Sequence, residues 1–154
     1  MTEHDTARPP HVQAFEFVIP GHAVPFTRVG RNPSTGRTYT PTHYAKYKGL
    51  AGRSAALALM ARHMLGTWPL DARYRVSIRV YLGARVTSDV DNLGKAILDG
   101  CNGVAWEDDR QIDDLHVVRE FGHENERAEV HVEVIPPPEP RPGRKRHRTR
   151  LHRK

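Results

Sequence analysis

The sequence predicts an α/β protein of the α+β kind, a single domain with a small mixed β-sheet and two main helices in the order β-α-β-α-β-β. Apolar residues alternate with polar ones in several segments, which is the period of a half-buried strand, and recur at helical spacing in two others. A chain of 154 residues is long enough for one domain with a hydrophobic core, but short for two. We expect a flexible N terminus at residues 1–13, a folded domain at 14–135 and a basic, disordered tail at 136–154.

The first half of the domain is predicted to contain a strand, a long loop and a helix. Phe15, Phe17 and Ile19 alternate in a short strand that ends at a Pro-Gly pair. The following stretch, HAVPFTRVGRNPSTGRTYTP, has the density of Pro, Gly and Asn typical of a loop, and so long a loop inside a domain is usually functional. A helix is then predicted from about Thr42 to Leu65, with its stripe at Tyr44, Tyr47, Ala51, Ala55, Ala58 and Leu59.

The second half is predicted to contain a strand, a helix and two further strands. Residues 74–82 and residues 128–134 alternate clearly between apolar and polar side chains. Residues 115–121 suggest a hairpin partner for the last strand, with residues 122–125 as the connection.

The helix between these strands lies in the segment DVDNLGKAILDG, Asp89 to Gly100. Asp91 is suited to be its N-cap, because an Asp side chain can accept hydrogen bonds from the free backbone donors of a first turn. The helix would then run to about Asn102. One side of this helix would face the sheet with Leu93, Ala96, Ile97 and Gly100. The opposite side would face outwards with Asp91, Lys95, Asp99 and Asn102.

Charge is unevenly distributed along a chain whose net charge is +6. Residues 136–154 hold eight Lys or Arg and one acid, which suits either sequence-independent phosphate affinity or a solubilising end. Residues 17–70 contain seven basic residues and no acid, whereas residues 89–129 contain twelve acids and four bases. This pattern is expected if the partner is nucleic acid and a metal ion offsets the acids. The candidates for phosphate contact are Arg28, Arg31, Arg37, Lys46, Lys48 and Arg53.

Several classes of protein are excluded or disfavoured by composition. The single cysteine, Cys101, excludes a disulfide framework and a cysteine-rich zinc site. No apolar run has the length of a membrane span or a secretory signal, so we expect no membrane association and a cytoplasmic location. No organic cofactor is expected.

Three interpretations compete for the acidic segment. In the first, Asp91 caps a helix, Lys95 and Asp99 form an i,i+4 pair, and residues 107–109 are a solvated turn. The second, an EF-hand loop, fails because Leu93 and Gly100 stand where oxygen ligands are needed. In the third, hard oxygen ligands hold Mg²⁺, with Mn²⁺ as a possible substitute. Those ligands would be Asp89, Asp91 and Asp109.

The third interpretation also supplies a chemistry. Phosphodiester hydrolysis needs an activated water, stabilisation of the charge on phosphate and help for a departing alkoxide, and carboxylate-held metal ions provide these. Lys95, one turn beyond Asp91, could place a fixed positive charge at the phosphate or the leaving oxygen, or could be an ion-pair partner. Tyr39, Tyr44 or Trp106 could stack on an unpaired base, although Tyr44 also lies on the helix stripe.

The run DVDNLGKAILDGCNGVAWEDDRQIDDLHV resembles the signature of the RusA family of Holliday-junction resolvases. That signature joins Asp-x-Asp-Asn, with a lysine four residues after the second Asp, to an Asp-Asp-x-Gln turn. The opening FVIPGHAVPFTR resembles the N-terminal strand and Pro-rich loop of the family, so the likeness extends from Phe15 to Ile135. Phe26 is a departure, at a loop position where many relatives carry a lysine.

The resemblance implies a RusA-like nuclease domain that acts on branched DNA as a homodimer, a Mg²⁺-dependent, structure-selective endodeoxyribonuclease of recombination and repair. It implies paired symmetric cuts in a four-way junction, which a C₂ dimer suits because it places two identical sites in that symmetry. The alternatives are a DNA-binding module of the same fold that no longer cuts, and a group transferase, which is disfavoured by the lack of a phosphate-binding glycine loop. By the same likeness the catalytic residues are Asp89, Asp91, Lys95 and Asp109, with Asp99 in support and Asp108 as a further metal ligand.

Overall fold

Two helices pack on one face of a four-stranded mixed sheet, and a two-stranded ribbon lies in the loop before the first helix. The computed structural model describes residues 13–84 and 88–137. The elements are β1 (Ala14–Pro20), β2 (Gly30–Arg31), β3 (Thr38–Tyr39), α1 (Thr42–Ala61), β4 (Arg73–Leu82), α2 (Val90–Cys101), a 3₁₀ turn (Asp109–Gln111), β5 (Ile112–Phe121) and β6 (Arg127–Ile135). The α+β class and the order of the main elements are therefore confirmed.

The sheet has the strand order β1-β6-β4-β5, with β4 parallel to β5 and antiparallel to β6. The predicted hairpin between the last two strands is therefore wrong, because β4 lies between them. Alternation identifies a strand but does not identify its neighbours. Here β4, α2 and β5 form a βαβ unit, which requires parallel pairing. The connection after β5 is held to the end of β4, where Gly122 N donates to Gly83 O and His123 N donates to Leu82 O.

Helix α1 begins at the predicted residue and ends four residues earlier than predicted. Its predicted stripe is confirmed, because Tyr44, Tyr47, Ala51, Ala55 and Leu59 are buried. The chain leaves the helix through His63, whose φ of 56° is in the left-handed region, and this ends the α-helical pattern before Leu65.

Helix α2 begins one residue before its predicted cap. Asp89 is the N-cap and makes no side-chain capping hydrogen bond, whereas Asp91 lies in the first turn. The prediction of Asp91 as N-cap is therefore wrong by two positions, since Asp is favoured both at an N-cap and in the first turn beside the positive end of the helix dipole. The apolar side is confirmed at Leu93 and Ile97, which are buried, and Lys95 is exposed as predicted. Two positions differ from the prediction, because Gly100 faces α1 rather than the sheet and Asp99 is half-buried against Tyr44 of α1.

Two glycines bring α1 and α2 into backbone contact. A Cβ atom on Gly52 would lie 2.6 Å from the carbonyl oxygen of Gly100, and one on Gly100 would lie 2.6 Å from the carbonyl oxygen of Lys48. Neither distance leaves room for a methyl group. The absence of side chains at Gly52 and Gly100 therefore fixes how closely the two helices approach each other.

The predicted N-terminal segment and basic tail lie almost wholly outside the described residues. Within residues 13–84 and 88–137, no helix is both long enough and apolar enough to cross a membrane.

We predict opposite effects of the same substitution at two positions of α1. Gly52→Ala should lower the free energy of unfolding by about 1–3 kcal/mol, because the added methyl group overpacks a backbone contact. Gly49→Ala should raise it by roughly 0.5–1 kcal/mol, because alanine favours the helix. The added Cβ at Gly49 meets only the end of the Arg53 side chain, at 3.2 Å, which can move away. Urea unfolding of both variants tests this, and equal effects would contradict it.

Candidate active site

Asp91, Lys95 and Asp109 line one cleft of about 400 Å³. Asp91 and Lys95 come from the first two turns of α2, and Asp109 comes from the 3₁₀ turn before β5. The apolar part of the wall consists of Val90, Leu98, Leu115 and Val117. The fold thus brings together charged residues from the two acidic motifs.

The turn that carries Asp109 is anchored by Gln111. The Gln111 side-chain nitrogen donates to the carbonyl oxygens of Leu70, at 2.7 Å, and Ala72, at 3.0 Å. Its side-chain oxygen accepts from the backbone nitrogen of Asp108 at 2.9 Å, which completes a capping box. Sequence reasoning did not assign a role to Gln111, although an Asp followed three residues later by Gln is a capping-box pattern.

Asp108 is engaged within the same turn. Its two carboxylate oxygens accept from Arg110 Nε at 2.8 Å and Arg110 Nη2 at 3.0 Å. These hydrogen bonds from Arg110 hold the pKa of Asp108 well below its usual range. The structure therefore gives Asp108 a capping role, and its role as a metal ligand stays a prediction.

Lys95 stands between two carboxylates. Its Nζ lies 3.6 Å from Asp99 Oδ1 and 3.9 Å from Asp109 Oδ2. The same ammonium lies 5.3 Å from the centre of the Phe26 ring. Because nearly half of the Lys95 side chain is exposed, at 46%, its charge remains accessible from the cleft.

Tyr44 and Phe26 form the support behind Lys95. The buried Tyr44 hydroxyl donates to Asp99 Oδ2 at 2.7 Å, and burial, with the adjacent Asp99, raises the pKa of Tyr44 far above its ordinary value. Tyr44 therefore remains a hydrogen-bond donor. Phe26 packs edge-on against the Tyr44 ring at 5.7 Å, and its backbone nitrogen donates to Asn92 O at 2.8 Å. The long loop is thereby attached to the first turn of α2.

The remaining predicted acids, Asp89 and Asp91, differ from those above in their surroundings. Within the described parts of the chain, the side chains of Asp89 and Asp91 make no hydrogen bond and no ion pair. Asp89 is exposed and is not part of the cleft lining. Across residues 13–84 and 88–137, no three His, Cys, Asp or Glu side chains converge closely enough to hold a metal ion. The structure thus brings Asp91 and Asp109 to one cleft and leaves Asp89 outside its lining.

The donors of this cleft fit a hard divalent cation. Mg²⁺ prefers oxygen ligands and usually binds through one or two carboxylates, while waters and substrate phosphates complete its shell. Asp91 and Asp109 supply two such carboxylates in one cleft that opens to solvent. A closed cage of protein ligands is not required for this mode of binding.

The six cations predicted to contact phosphates lie on the long loop and on α1. Five are exposed, and Lys48 is half-buried with its Nζ 5.6 Å from the centre of the Tyr44 ring. None of the six forms an ion pair with an acid in the described structure. Their charges are therefore available to an anionic partner. The set is Arg28, Arg31, Arg37, Lys46, Lys48 and Arg53.

Burial separates the three aromatic residues predicted as candidates for base stacking. Trp106 is fully buried and donates from Nε1 to Asn102 Oδ1 at 2.8 Å, and Tyr44 is 3% exposed. Neither ring can receive a base. Tyr39 is 57% exposed in the β2–β3 ribbon, where its ring lies against Gly30.

Several of the other acids pair with arginines on the open face of the sheet. Arg73 of β4 pairs with Asp113 of β5, and Arg75 pairs with Asp114 at 2.7 Å. Arg79 of the same strand pairs with Glu120. These acids thus have a structural partner in the neighbouring strand.

Comparison with known protein families gives a match over most of the chain. The model of the family described as Endodeoxyribonuclease RusA matches residues 20–133, which is most of the chain and includes every site residue named above. A search of curated proteins finds no match. The chain therefore belongs to the endodeoxyribonuclease RusA family, a family of Holliday-junction resolvases.

Proposed function

We propose that this protein is a Mg²⁺-dependent endodeoxyribonuclease that resolves four-way DNA junctions by paired symmetric cuts during recombination and repair. The observation that carries the proposal is the shared cleft of a chain of this family. Asp91 and Asp109 come from separate elements and line this cleft together with Lys95, whose Nζ lies 3.9 Å from Asp109 Oδ2.

Asp91 and Asp109 would hold the metal ion, and Mn²⁺ could replace Mg²⁺. Asp89 would be a third ligand, because it lies two residues before Asp91 and its carboxylate is not used as a helix cap. When bound, the ion would supply an activated water and stabilise charge on the phosphate.

Lys95 would act on the phosphodiester through its ammonium group. It would donate to a phosphate oxygen or to the departing alkoxide, where negative charge develops during hydrolysis. Asp99, which is outside the cleft lining, lies 3.6 Å from Lys95 Nζ, and the Tyr44 hydroxyl donates to Asp99. We therefore assign Tyr44 and Asp99 as positioning residues.

DNA would approach along α1 and the long loop. The cations there have no acidic partners in the described structure, so they can neutralise phosphates and release counterions. The sheet's open face is an unsuitable DNA surface, because its arginines are already paired with acids.

The alternative is a protein that binds branched DNA without cutting it. The observation that favours this alternative is the absence, within the described residues, of a converged group of three metal ligands. The two functions differ in one measurable property, hydrolysis in the presence of a divalent ion.

We predict that a labelled four-way junction incubated with the protein and Mg²⁺ is cut at two symmetric positions. Asp91→Asn should abolish cutting while preserving affinity, since removing a negative charge near phosphates does not weaken association. The matched control is Asp71→Asn, the same change at an exposed residue outside the cleft, which should cut normally. Binding without cutting at any Mg²⁺ or Mn²⁺ concentration would support the alternative, and loss of affinity in Asp91→Asn would contradict the assigned role.

Tyr44→Phe should reduce the cutting rate by roughly 10-fold, because a group displaced slightly from its reacting phosphate loses much of its effect. It should also lower the free energy of unfolding by about 0.5–1.5 kcal/mol through loss of the bond to Asp99. Single-turnover cleavage and urea unfolding measure the two effects. Tyr39→Phe, which removes an exposed hydroxyl, is the control and should leave both quantities unchanged.

We further predict that the active form is a homodimer. Two cuts related by two-fold symmetry require two identical sites in that relation, and a monomer supplies one. Sedimentation velocity at the concentrations used for cleavage should give a mass of twice that of the chain. A monomer that makes both cuts in one binding event would disprove this.

A further inference from the structure

We propose that a second pocket, beside α1, receives a single unpaired nucleotide of branched DNA; this inference rests on the proposed binding of such DNA. The pocket has a volume of about 430 Å³ and is distinct from the cleft that holds Asp91 and Asp109. One wall is Val24 of the long loop. The other wall is one stripe of α1, consisting of His43, Lys46, Tyr47, Leu50 and Arg53.

The pocket is a shallow, open depression with an apolar floor and a basic rim. Val24 and Leu50 are half-buried and form the apolar floor, and the buried Tyr47 packs beneath them as part of the lining. Lys46 and Arg53 are exposed at the rim. The floor suits the flat, apolar face of a base, and the rim suits the phosphates on either side of it.

The positive charge at the rim of the pocket favours an anionic ligand. Residues 17–70 contain no acid, and neither Lys46 nor Arg53 has an ion-pair partner in the described part of the chain. A free phosphate would use the rim and leave the apolar floor exposed to water. A paired base enters only if it first unpairs and leaves the stack, and this cost is smallest for a base that is already unpaired. An unpaired nucleotide can place its base on the apolar floor and its phosphates at the basic rim.

The pocket also lies close to the candidate active site along the helix. His43 belongs to the pocket, and the next residue, Tyr44, donates to Asp99 behind Lys95. Nucleotides near a branch point are the ones that leave the stack most easily. Occupation of the pocket would therefore place the neighbouring backbone along the start of α1, near the cleft.

The test is to fill the pocket and measure affinity in EDTA, so that no cutting occurs. Leu50→Trp puts a large ring on the floor. Its affinity should fall roughly tenfold for a duplex with one unpaired nucleotide and for a four-way junction, because stacking of one base is lost. Affinity for a fully paired duplex of the same length should change less than twofold. The control is Leu57→Trp on the same helix, where the side chain is 64% exposed and outside the pocket.

Val24→Trp fills the same pocket from the loop and replaces Leu50→Trp if that variant does not fold. An equal loss of affinity for all three DNAs would show that the pocket contacts only phosphates, and would overturn the proposal. Unchanged affinity for all three DNAs would also overturn it. Failure of the proposed function is distinguishable, because a protein that never cuts with Mg²⁺ can still show the selective loss in EDTA.

Discussion

The contact between α1 and α2 at Gly52 and Gly100 is the constraint on which the candidate site depends. Because the helix backbones touch, Tyr44 of α1 can reach Asp99 of α2 with a hydrogen bond of 2.7 Å. Asp99 in turn holds Lys95 at the cleft. A wider separation of the helices would break this chain of contacts at its first step. The contact between Gly52 and Gly100 therefore determines where the Lys95 ammonium lies, although neither glycine touches Lys95.

The parallel pairing of β4 with β5 brings the two acidic motifs together. Helix α2 is the crossover between these strands, so the chain comes back past α2 before β5 begins beside β4. The turn before β5 then places Asp109 3.9 Å from Lys95, and Gln111 fastens that turn to the loop before β4. If β5 paired with β6 in a hairpin instead of with β4, the pairing would not bring Asp109 beside Lys95. Topology, rather than the separation of the motifs along the chain, creates the cleft.

The elements were predictable from the sequence, and much of their pairing was not. Periodicity identified α1, α2 and the long strands, because one buried face is enough to produce it. It could not assign β5 to β4, because the partner of an edge strand is decided by contacts across the whole sheet. For the site, residue types pointed to Asp91, Lys95 and Asp109, which do share a cleft. The hydrogen bonds from Tyr44 to Asp99 and from Gln111 to the loop before β4 join segments distant in the chain, and sequence spacing does not reveal them. Only the capping box of Gln111 has a local sequence pattern.

The crowding of carboxylates in residues 89–129 has two separate physical causes. On the sheet, the acids of β5 are offset by arginines of β4, so these charges need no external cation. At the start of α2 the balance is different. Lys95 is shared by Asp99 and Asp109, and within the described residues Asp89 and Asp91 have no cationic partner. Like charges two residues apart repel each other, and the helix dipole offsets this only in part. Among the described residues, the carboxylates without a cationic partner therefore lie at the start of α2, where Asp91 lines the cleft, and a cation bound there would offset their repulsion.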